Sequence, residues 1–312
     1  MAVFLINNNA VTDPAINLAL EEFCFRNLDP ASDYLLFYIN RPSIITGRHQ
    51  NPFQECNLDL ARRKDIQLVR RISGGGTVYH DRGNLNFSYI TGFTEEKLDY
   101  FKTLLKPILN TLQHLGVPAE LTDKNNILVK GKKISGNSQH TNMRRMLSHG
   151  TLLFESDLEA LGRALEPELV ITNSRAVISI RSNVTNIVEH LRRPLEMDTF
   201  RVELLEGISR VFGEIINYRL TAEDWETVDL LAKTKYESWD WTIGRSPKFT
   251  VHHQIRIGPG KVDAHFRVKN GIIKDVRLAN LPNELAAANN IRTKLIGKRY
   301  DERFTCIVTP QS

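Results

Sequence analysis

The sequence is poor in cysteine and has no long hydrophobic segment. Its three cysteines, Cys24, Cys56 and Cys306, lie far apart and have no cysteine or histidine partners at zinc-ligand spacing. This pattern excludes a disulfide-rich secreted domain and a zinc ribbon, and it favours the reducing cytoplasm. No apolar run approaches the roughly 18 residues of a membrane helix, and residues 1–6 lack the basic start of a signal peptide, so we expect no membrane association.

An excess of charge of one sign is also missing. The 41 lysines and arginines stand against 36 aspartates and glutamates, and the net charge of +5 gives only a modest bias toward acidic partners. Nothing in this balance indicates a nucleic-acid partner. The apolar fraction of 41% is enough for a buried core, and a chain of 312 residues forms one large domain or two smaller ones.

The most informative segment is glycine-rich and covers residues 70–81. It lacks the lysine and hydroxyl pair that ends a Walker loop, and it leads into an alternating apolar run instead of a helix. We therefore predict a strand, a glycine turn and a second strand. A glycine triplet alone is usually a flexible turn, but these glycines also let backbone N–H groups approach an anionic ligand. Arg71 would supply charge for a carboxylate or phosphate, whereas Arg70 is also typical of a strand end.

Hydrophobic periodicity predicts helices and strands in a mixed order. Asp13 before Pro14 is an N-cap signal for a first helix, with Asn17 and Glu21 on its polar side. The predicted strands cover residues 34–39, 43–46, 67–71, 77–79, 85–91, 119–122, 126–129, 132–135, 150–154, 252–257, 261–269 and 272–278, and further helices lie near 95–115, 158–165, 200–212 and 284–295.

Proline and glycine mark several turns in this plan. Pro107 should start or kink the second half of the helix near 95–115. The dipeptide Asn270-Gly271 predicts a hairpin turn, and residues 258–260 predict another turn between two strands.

Seven short blocks follow one another along nearly the whole chain. They are residues 15–22 (AINLALEE), 47–52 (GRHQNP), the glycine-rich run, 133–136 (KISG), 149–152 (HGTL), 182–186 (SNVTN) and 239–244 (WDWTIG). In these blocks, and in their order, the chain resembles the lipoate-protein ligase A family, within the superfamily of biotin and lipoate ligases.

The resemblance implies an α+β fold. A mixed β-sheet catalytic domain with helices packed on it, of the class II synthetase-like biotin and lipoate ligase type, would be followed by a small α+β C-terminal accessory domain. We assign residues 1–245 to the catalytic domain and 246–312 to the accessory domain. From the order of elements we also expect the helices to cover one face of the sheet.

The implied reaction is the activation of lipoate by ATP, with Mg²⁺, to lipoyl-AMP, followed by transfer of the lipoyl group to a specific lysine. The implied acceptors are the lipoyl domains of 2-oxoacid dehydrogenase E2 subunits or the glycine cleavage H protein, and octanoate is a second acyl substrate. We expect the protein to be a monomer.

The resemblance also assigns roles to particular residues. Lys133 is the implied catalytic residue, although in a run of lysines it would otherwise indicate a solvated surface. Arg71, Ser73 and His149 are the implied lipoate contacts, and residues 181–186 form the segment that closes over the adenylate. The implied ATP and adenylate contacts are Arg71, Gly75, Gly76, Val78, Tyr79, Asn84, Asn125, Lys133, Thr151, Arg181 and Ser182.

Two positions depart from the family pattern. The aspartate that holds magnesium before the apolar strand is replaced here by Asn126, which offers a neutral oxygen, and Asp123 is the nearby alternative ligand. His140 stands near a position where ligases carry arginine.

Alternative functions remain open at this point. A lipoyltransferase that accepts preformed lipoyl-AMP would tolerate Asn126. An octanoyltransferase would need a cysteine near Lys133 or His149, and none of the three lies there in sequence. The glycine run lacks the Gly-Arg-Gly spacing of biotin ligases, and a catalytically silent binder of lipoyl domains would not need an adenylate pocket.

Overall fold

The computed structural model describes residues 2–93, 101–168, 171–257, 260–279 and 292–300. None of the helices within these ranges is both long and apolar enough to cross a membrane. The helices are α1 (Pro14–Asn27), α2 (Pro52–Glu55), α3 (Leu58–Arg63), α4 (Phe101–His114), α5 (Leu158–Ala164), α6 (Met197–Phe212), α7 (Ala222–Leu231) and α8 (Trp239–Thr242), with a 3₁₀ helix at Ile187–His190 and a π-helical turn at Ala232–Tyr236.

The strands form four sheets. They are β1 (Val3–Ile6), β2 (Asp33–Ile39), β3 (Ser43–Thr46), β4 (Gln67–Arg70), β5 (Val78–His80), β6 (Asn84–Gly92), β7 (Ala119–Leu121), β8 (Ile127–Val129), β9 (Lys132–Ser135), β10 (Asn137–Thr141), β11 (Arg145–Leu153), β12 (Ile171–Ser174), β13 (Ile215–Tyr218), β14 (Phe249–Ile257), β15 (Gly260–Lys269) and β16 (Ile272–Ala279).

The largest sheet is mixed and has the order β10-β11-β6-β2-β1-β13. β1 runs parallel to β2 and β13, whereas the pairs from β2 through β6 and β11 to β10 are antiparallel. Two small sheets flank it: β4-β3-β5 holds the glycine-rich turn between β4 and β5, and β7-β8-β9 presents Lys133. This mixed arrangement confirms the predicted α+β class.

Helices cover both faces of the largest sheet. Leu35 and Phe37 of β2 pack in one core with residues of α4 and α6, whereas Leu36 and Tyr38 pack in a second core with residues of α1. The expectation of helices on one face only is therefore wrong. β2 is a continuous apolar run, and such a run is typical of a strand that is buried on both faces.

Helix α1 begins where the sequence predicts. Asp13 Oδ1 accepts hydrogen bonds from the backbone N–H groups of Ala15 at 2.8 Å and Ile16 at 3.3 Å, which confirms the N-cap. The polar side that we expected is absent, because Asn17 and Glu21 are 0% and 1% exposed. Their helix is buried nearly all round, so both side chains bond to neighbouring elements instead of water.

The second large sheet has the order β12-β14-β15-β16. Asn270 and Gly271 have φ angles of 53° and 67°, the left-handed pair that a two-residue hairpin needs, and the predicted turn is confirmed. Strand β12, which the sequence did not predict, pairs with β14 from a position well upstream in the chain. Parts of three predicted elements lie outside the described residues. They are residues 95–100 of one helix, residues 258–259 of the turn and residues 284–291 of the last helix.

Arg70 is a structural anchor rather than a charge at a strand end. Its side chain is fully buried, and its guanidinium donates to the carbonyls of Gly47 at 2.8 Å, Gln50 at 2.7 Å and Thr242 at 2.8 Å, and to Ser246 Oγ at 3.3 Å. Burial lowers the pKa of Arg70 to about 10, so the group stays charged at neutral pH. One side chain thus ties the loop after β3 to the segment that contains α8.

We expect Arg70→Met to destabilise the fold by about 3 kcal/mol or more, because it leaves several buried carbonyls without donors. Urea unfolding gives the free energy of unfolding. Arg63→Met is the control, since Arg63 is 64% exposed and pairs with Asp59 across one helical turn. The loss of stability in this variant should stay below about 0.5 kcal/mol. Equal effects of the two substitutions would contradict the role of Arg70.

Candidate functional site

Two adjacent cavities lie between the sheets. Their volumes are about 780 and 340 Å³, within the range of small-molecule sites. They share a wall, so a ligand in one lies beside a ligand in the other. The shared residues are Thr77, Val78, Lys133, Gly136, Thr151, Ile178, Ser179, Ile180 and Ser182.

The smaller cavity is lined by both apolar and polar side chains. Leu18 of α1, Tyr38 of β2 and Ile45 of β3 form an apolar part, and Arg71 and His149 bring polar groups to the same cavity. An elongated apolar chain with one anionic end has the matching chemistry.

The larger cavity has a wider apolar region. Leu158, Leu161 and Leu165 from α5 and its C-terminal end line it together with Tyr79, and Arg181 adds a cation. This combination suits a planar ring attached to an anionic group.

Lys133 lies where the two cavities meet. Strand β9 holds its backbone, which donates to the carbonyl of Asn183 at 2.8 Å and accepts from the N–H of Thr185 at 3.2 Å. No hydrogen bond or ion pair reaches its Nζ from the described part of the chain. Burial, and then the positive charge of Arg71, lowers the pKa of Lys133 below its usual value. Among the described residues, no protein acceptor therefore competes with a ligand for the Lys133 ammonium.

Arg71 holds the glycine-rich turn. Its Nη2 donates to the carbonyls of Gly74 at 2.6 Å and Gly76 at 2.7 Å, and its Nη1 donates to Ile45 at 3.1 Å. Gly75 between them has a φ of 85°, a backbone conformation that favours glycine. Burial lowers the pKa of Arg71 to about 10. Arg71 therefore lines the smaller cavity with most of its donors already bound to the turn.

Ser73 and His149 belong to a buried chain of polar groups. His149 Nε2 lies 2.6 Å from Ser73 Oγ, and His149 Nδ1 lies 2.9 Å from both carboxylate oxygens of Glu21. Sequence reasoning missed Glu21. A usable signal was present, because a carboxylate among the apolar positions of α1 must find a partner when the helix is buried.

Residues 175–183, the covering segment, run along both cavities without regular structure. Ser179 holds the centre of this segment in place. Its Oγ donates to the Glu55 carboxylate, and it accepts hydrogen bonds at 2.9 Å from both Gln50 Nε2 and the N–H of Thr77. Burial raises the pKa of the Glu55 carboxyl, and the hydrogen bonds from Ser179 oppose that rise. No local motif predicts this contact, because Glu55 and Ser179 lie 124 residues apart along the chain.

The remaining sequence candidates divide into two groups. Thr151 and Ser182 line both cavities, and Gly75 and Gly76 line the smaller one. Asn84 and Asn125 line neither cavity. Asn84 is fully buried and donates to Asn86 Oδ1 at 3.0 Å, and the carbonyl of Asn125 accepts from Asn137 Nδ2 at 2.6 Å.

The residues considered for a metal do not form a protein-built magnesium site. Asn126 lines the smaller cavity, but the Asp123 side chain points into solvent and pairs with Lys102 at 3.2 Å. Across the described ranges, no three His, Cys, Asp or Glu side chains are placed to hold a metal ion. The described lining of the smaller cavity therefore offers a hard dication neutral oxygens, such as that of Asn126, and no carboxylate.

Neither of the described cysteines lines a cavity. Cys24 is fully buried, which raises the pKa of its thiol, and Cys56 Sγ donates to the carbonyl of Pro52 at 3.1 Å. Cys306 lies outside the described residues. His140 packs its ring 5.3 Å from that of Phe25, and burial lowers its pKa.

The fold and the paired cavities define an α+β protein with adjoining sites for two small molecules. Residues 13–209 match the family described as the lipoyl protein ligase A/B catalytic domain, and residues 246–306 match the bacterial lipoate protein ligase C-terminus. The lipoate-protein ligase LplJ of Bacillus subtilis is 42% identical over 96% of this chain and 91% of its own length. The chain belongs to the lipoate-protein ligase family.

Two solved structures share the architecture. A lipoate-protein ligase A bound with ATP is 26% identical, with a TM-score of 0.67, and the match covers 78% of this chain and 98% of that chain. Protein Ta0514 from T. acidophilum with bound lipoic acid is 25% identical, with a TM-score of 0.68, over 78% of this chain and 99% of that chain. Both agree with the predicted fold class.

We expect Ser179→Ala to loosen the covering segment, because Gln50, Glu55 and the N–H of Thr77 all lose a partner. A net loss of about 1–3 kcal/mol, the cost of one unsatisfied group, corresponds to roughly 5- to 150-fold more frequent opening. The rate of tryptic cleavage after Arg175, which lies in the segment, measures this opening.

Ser182→Ala is the control for this experiment, since Ser182 lies in the same segment and is exposed. Unchanged cleavage of the Ser179 variant would show that its hydroxyl does not fasten the segment.

Proposed function

We propose that this chain is an ATP-dependent lipoate-protein ligase, which converts lipoate to lipoyl-AMP and then transfers the lipoyl group to a lysine of an acceptor domain. The observation that carries the proposal is the meeting of the two cavities at Lys133, whose Nζ has no partner within the described residues. The family match and the relatives with bound ATP and bound lipoic acid support the same reaction.

The smaller cavity is the proposed lipoate site. Its apolar side chains would enclose the acyl chain, and Arg71, with Ser73 and His149 behind it, would lie near the carboxylate. A volume of about 340 Å³ also leaves room for octanoate as a second substrate.

The larger cavity is the proposed nucleotide site. Val78, Tyr79 and Thr151 would contact ATP from one side, Arg181 and Ser182 from the covering segment, and Gly75 and Gly76 lie next to the shared wall. Asn84 and Asn125 would act through Asn86 and Asn137, the cavity residues to which they bond. Magnesium would enter as the MgATP substrate, with the phosphates supplying its charged oxygens and Asn126 a neutral one.

The chemistry requires two displacements with charge stabilisation in each. A lipoate carboxylate oxygen attacks the α-phosphorus of ATP and pyrophosphate leaves, and then the acceptor amine attacks the acyl carbon, loses a proton and displaces AMP. Negative charge develops between the two cavities in both steps, and the Lys133 ammonium lies there to stabilise it. The covering segment would exclude water, which would otherwise hydrolyse the mixed anhydride.

A second candidate is a lipoyltransferase that uses preformed lipoyl-AMP. Asn126, with no carboxylate beside it in the smaller cavity, favours this alternative because the adenylation step would lose a charged metal ligand. An octanoyltransferase acting through a thioester is disfavoured, because neither Cys24 nor Cys56 lines either cavity.

Acceptors, domain limits and location complete the proposal. The acceptors are the lipoyl domains of 2-oxoacid dehydrogenase E2 subunits or the glycine cleavage H protein.

The separate family matches support a catalytic domain over residues 1–245 and an accessory domain over 246–312. Strand β12 of the catalytic domain pairs with β14, which belongs to the sheet of the accessory domain. A monomer in the cytoplasm fits the buried, reduced thiol of Cys24.

We expect Lys133→Ala to lower lipoylation of an acceptor domain by about 100-fold or more, because the site loses the ammonium that lies where the two cavities meet. The mass shift of the acceptor measures transfer. The exposed neighbour Lys132 supplies the control, since Lys132→Ala removes an equal charge outside both cavities. Normal turnover by the Lys133 variant would remove this residue from the mechanism.

The two candidate functions predict different dependence on the acyl donor. With lipoate and MgATP, the ligase should release pyrophosphate and raise the mass of the acceptor domain. Synthetic lipoyl-AMP, supplied in a parallel reaction, tests transfer alone. Modification only from lipoyl-AMP would contradict the ligase and establish the transferase.

A further inference from the structure

Glu21 is a buried carboxylate just outside the wall of the smaller cavity. It is 1% exposed, and its oxygens accept from His149 Nδ1 at 2.9 Å, from Ser88 Oγ and from the Tyr38 hydroxyl at 3.5 Å. His149 and Tyr38 line the smaller cavity, whereas Glu21 itself does not. Glu21 therefore touches two side chains of the cavity from behind.

The contacts of Glu21 set the direction of a hydrogen-bond chain. An ionised carboxylate only accepts, so His149 must carry its proton on Nδ1. In the neutral imidazole Nε2 then accepts the hydroxyl proton of Ser73, 2.6 Å away. Ser73 Oγ in turn accepts from Arg71 Nε at 3.0 Å. Each group of the chain has one role, and the last one is the guanidinium that holds the glycine-rich turn.

The same hydrogen-bond series connects two buried groups of opposite charge, the Glu21 carboxylate and the Arg71 guanidinium. Burial lowers the pKa of Arg71, and the Glu21 carboxylate opposes that decrease. Arg71 makes its other hydrogen bonds to neutral carbonyls, those of Ile45, Gly74 and Gly76. Glu21 thus provides a negative charge near Arg71, whereas the carbonyl groups that bind Arg71 in the turn are neutral.

We propose that Glu21 is a positioning residue of the ligase, which through His149 and Ser73 keeps Arg71 and the glycine-rich turn in the shape that the acyl cavity needs. This inference rests on the proposed function. It assigns to a residue of α1, which lines neither cavity, control over acyl-substrate binding.

The neighbouring residue Glu22 provides a matched comparison. It is also a buried carboxylate of α1, 2% exposed, and its partners are Arg26, Lys235 and Tyr236. None of these side chains lines either cavity. The two carboxylates thus share burial and helix but differ in whether they reach the site.

The test compares Glu21→Gln with Glu22→Gln in the full chain. Glu21→Gln should raise the KM for lipoate and the Kd for lipoate in a direct titration by about 10- to 100-fold, the equivalent of one charged hydrogen bond. The KM for ATP should change by less than about twofold, since the larger cavity is untouched. Glu22→Gln should leave both KM values near those of the wild type.

The wild type gives a readout that needs no variant. The ¹⁵N chemical shifts of the His149 ring identify its tautomer. The hydrogen-bond series from Glu21 to Arg71 requires a proton on Nδ1. A proton on Nε2 alone would overturn the proposal even if the Glu21 variant failed to fold.

The outcomes separate this inference from the proposed function. Wild-type protein that lipoylates its acceptor, with equal lipoate KM values for Glu21→Gln and Glu22→Gln, would overturn only the role of Glu21. Wild-type protein that transfers from neither lipoate nor lipoyl-AMP would overturn the proposed function, whereas the lipoate titration would still decide whether Glu21 positions the cavity.

Discussion

Two buried guanidinium groups at the end of β4 organise this molecule. Successive residues of an extended chain point in opposite directions, so Arg70 and Arg71 reach into different layers. Arg70 fastens the loop after β3 to the segment around Thr242, and Arg71 fastens the carbonyls of Gly74 and Gly76. Burial lowers the pKa of both groups to about 10, and the carbonyl partners compensate part of the lost hydration without adding negative charge. The shape of the site depends on these backbone contacts before any ligand binds.

The covering segment is attached at one end to the sheet of β12, β14, β15 and β16 and at the other end to β9. It follows directly after β12, which belongs to the sheet of β14 to β16, and it ends where Val184 pairs with Lys133. Ser179 fastens its middle to Glu55 beside the glycine-rich turn. The wall between the two cavities is therefore connected to the C-terminal sheet at one end and to the proposed catalytic lysine at the other. A change in either attachment would alter the access of ligands to both cavities at once.

The sequence predicted local structure well where the physical cause is itself local. The Asp13 cap and the Asn270-Gly271 hairpin each need only neighbouring residues, and both are present. The glycine-rich turn and Lys133 were also recognisable, because short motifs contain them. Arg70, Glu21 and Ser179 could not be assigned in this way. Their partners lie at least 17 residues away in the chain, so tertiary packing decides whether such a polar side chain is solvated, structural or part of a site.

Lys133 differs from the buried guanidinium groups of Arg70 and Arg71 in having no protein acceptor for its charged group among the described residues. Arg70 and Arg71 are saturated by carbonyls, which makes them stable but leaves little capacity for a ligand. A half-buried ammonium without a partner is costly, and its lowered pKa expresses that cost. In the proposed ligase, a carboxylate in one cavity and a phosphate in the other supply the missing acceptors, and their binding offsets the unfavourable free energy of the unpaired ammonium. The lack of a protein partner for Lys133 therefore favours the state in which both substrates are bound.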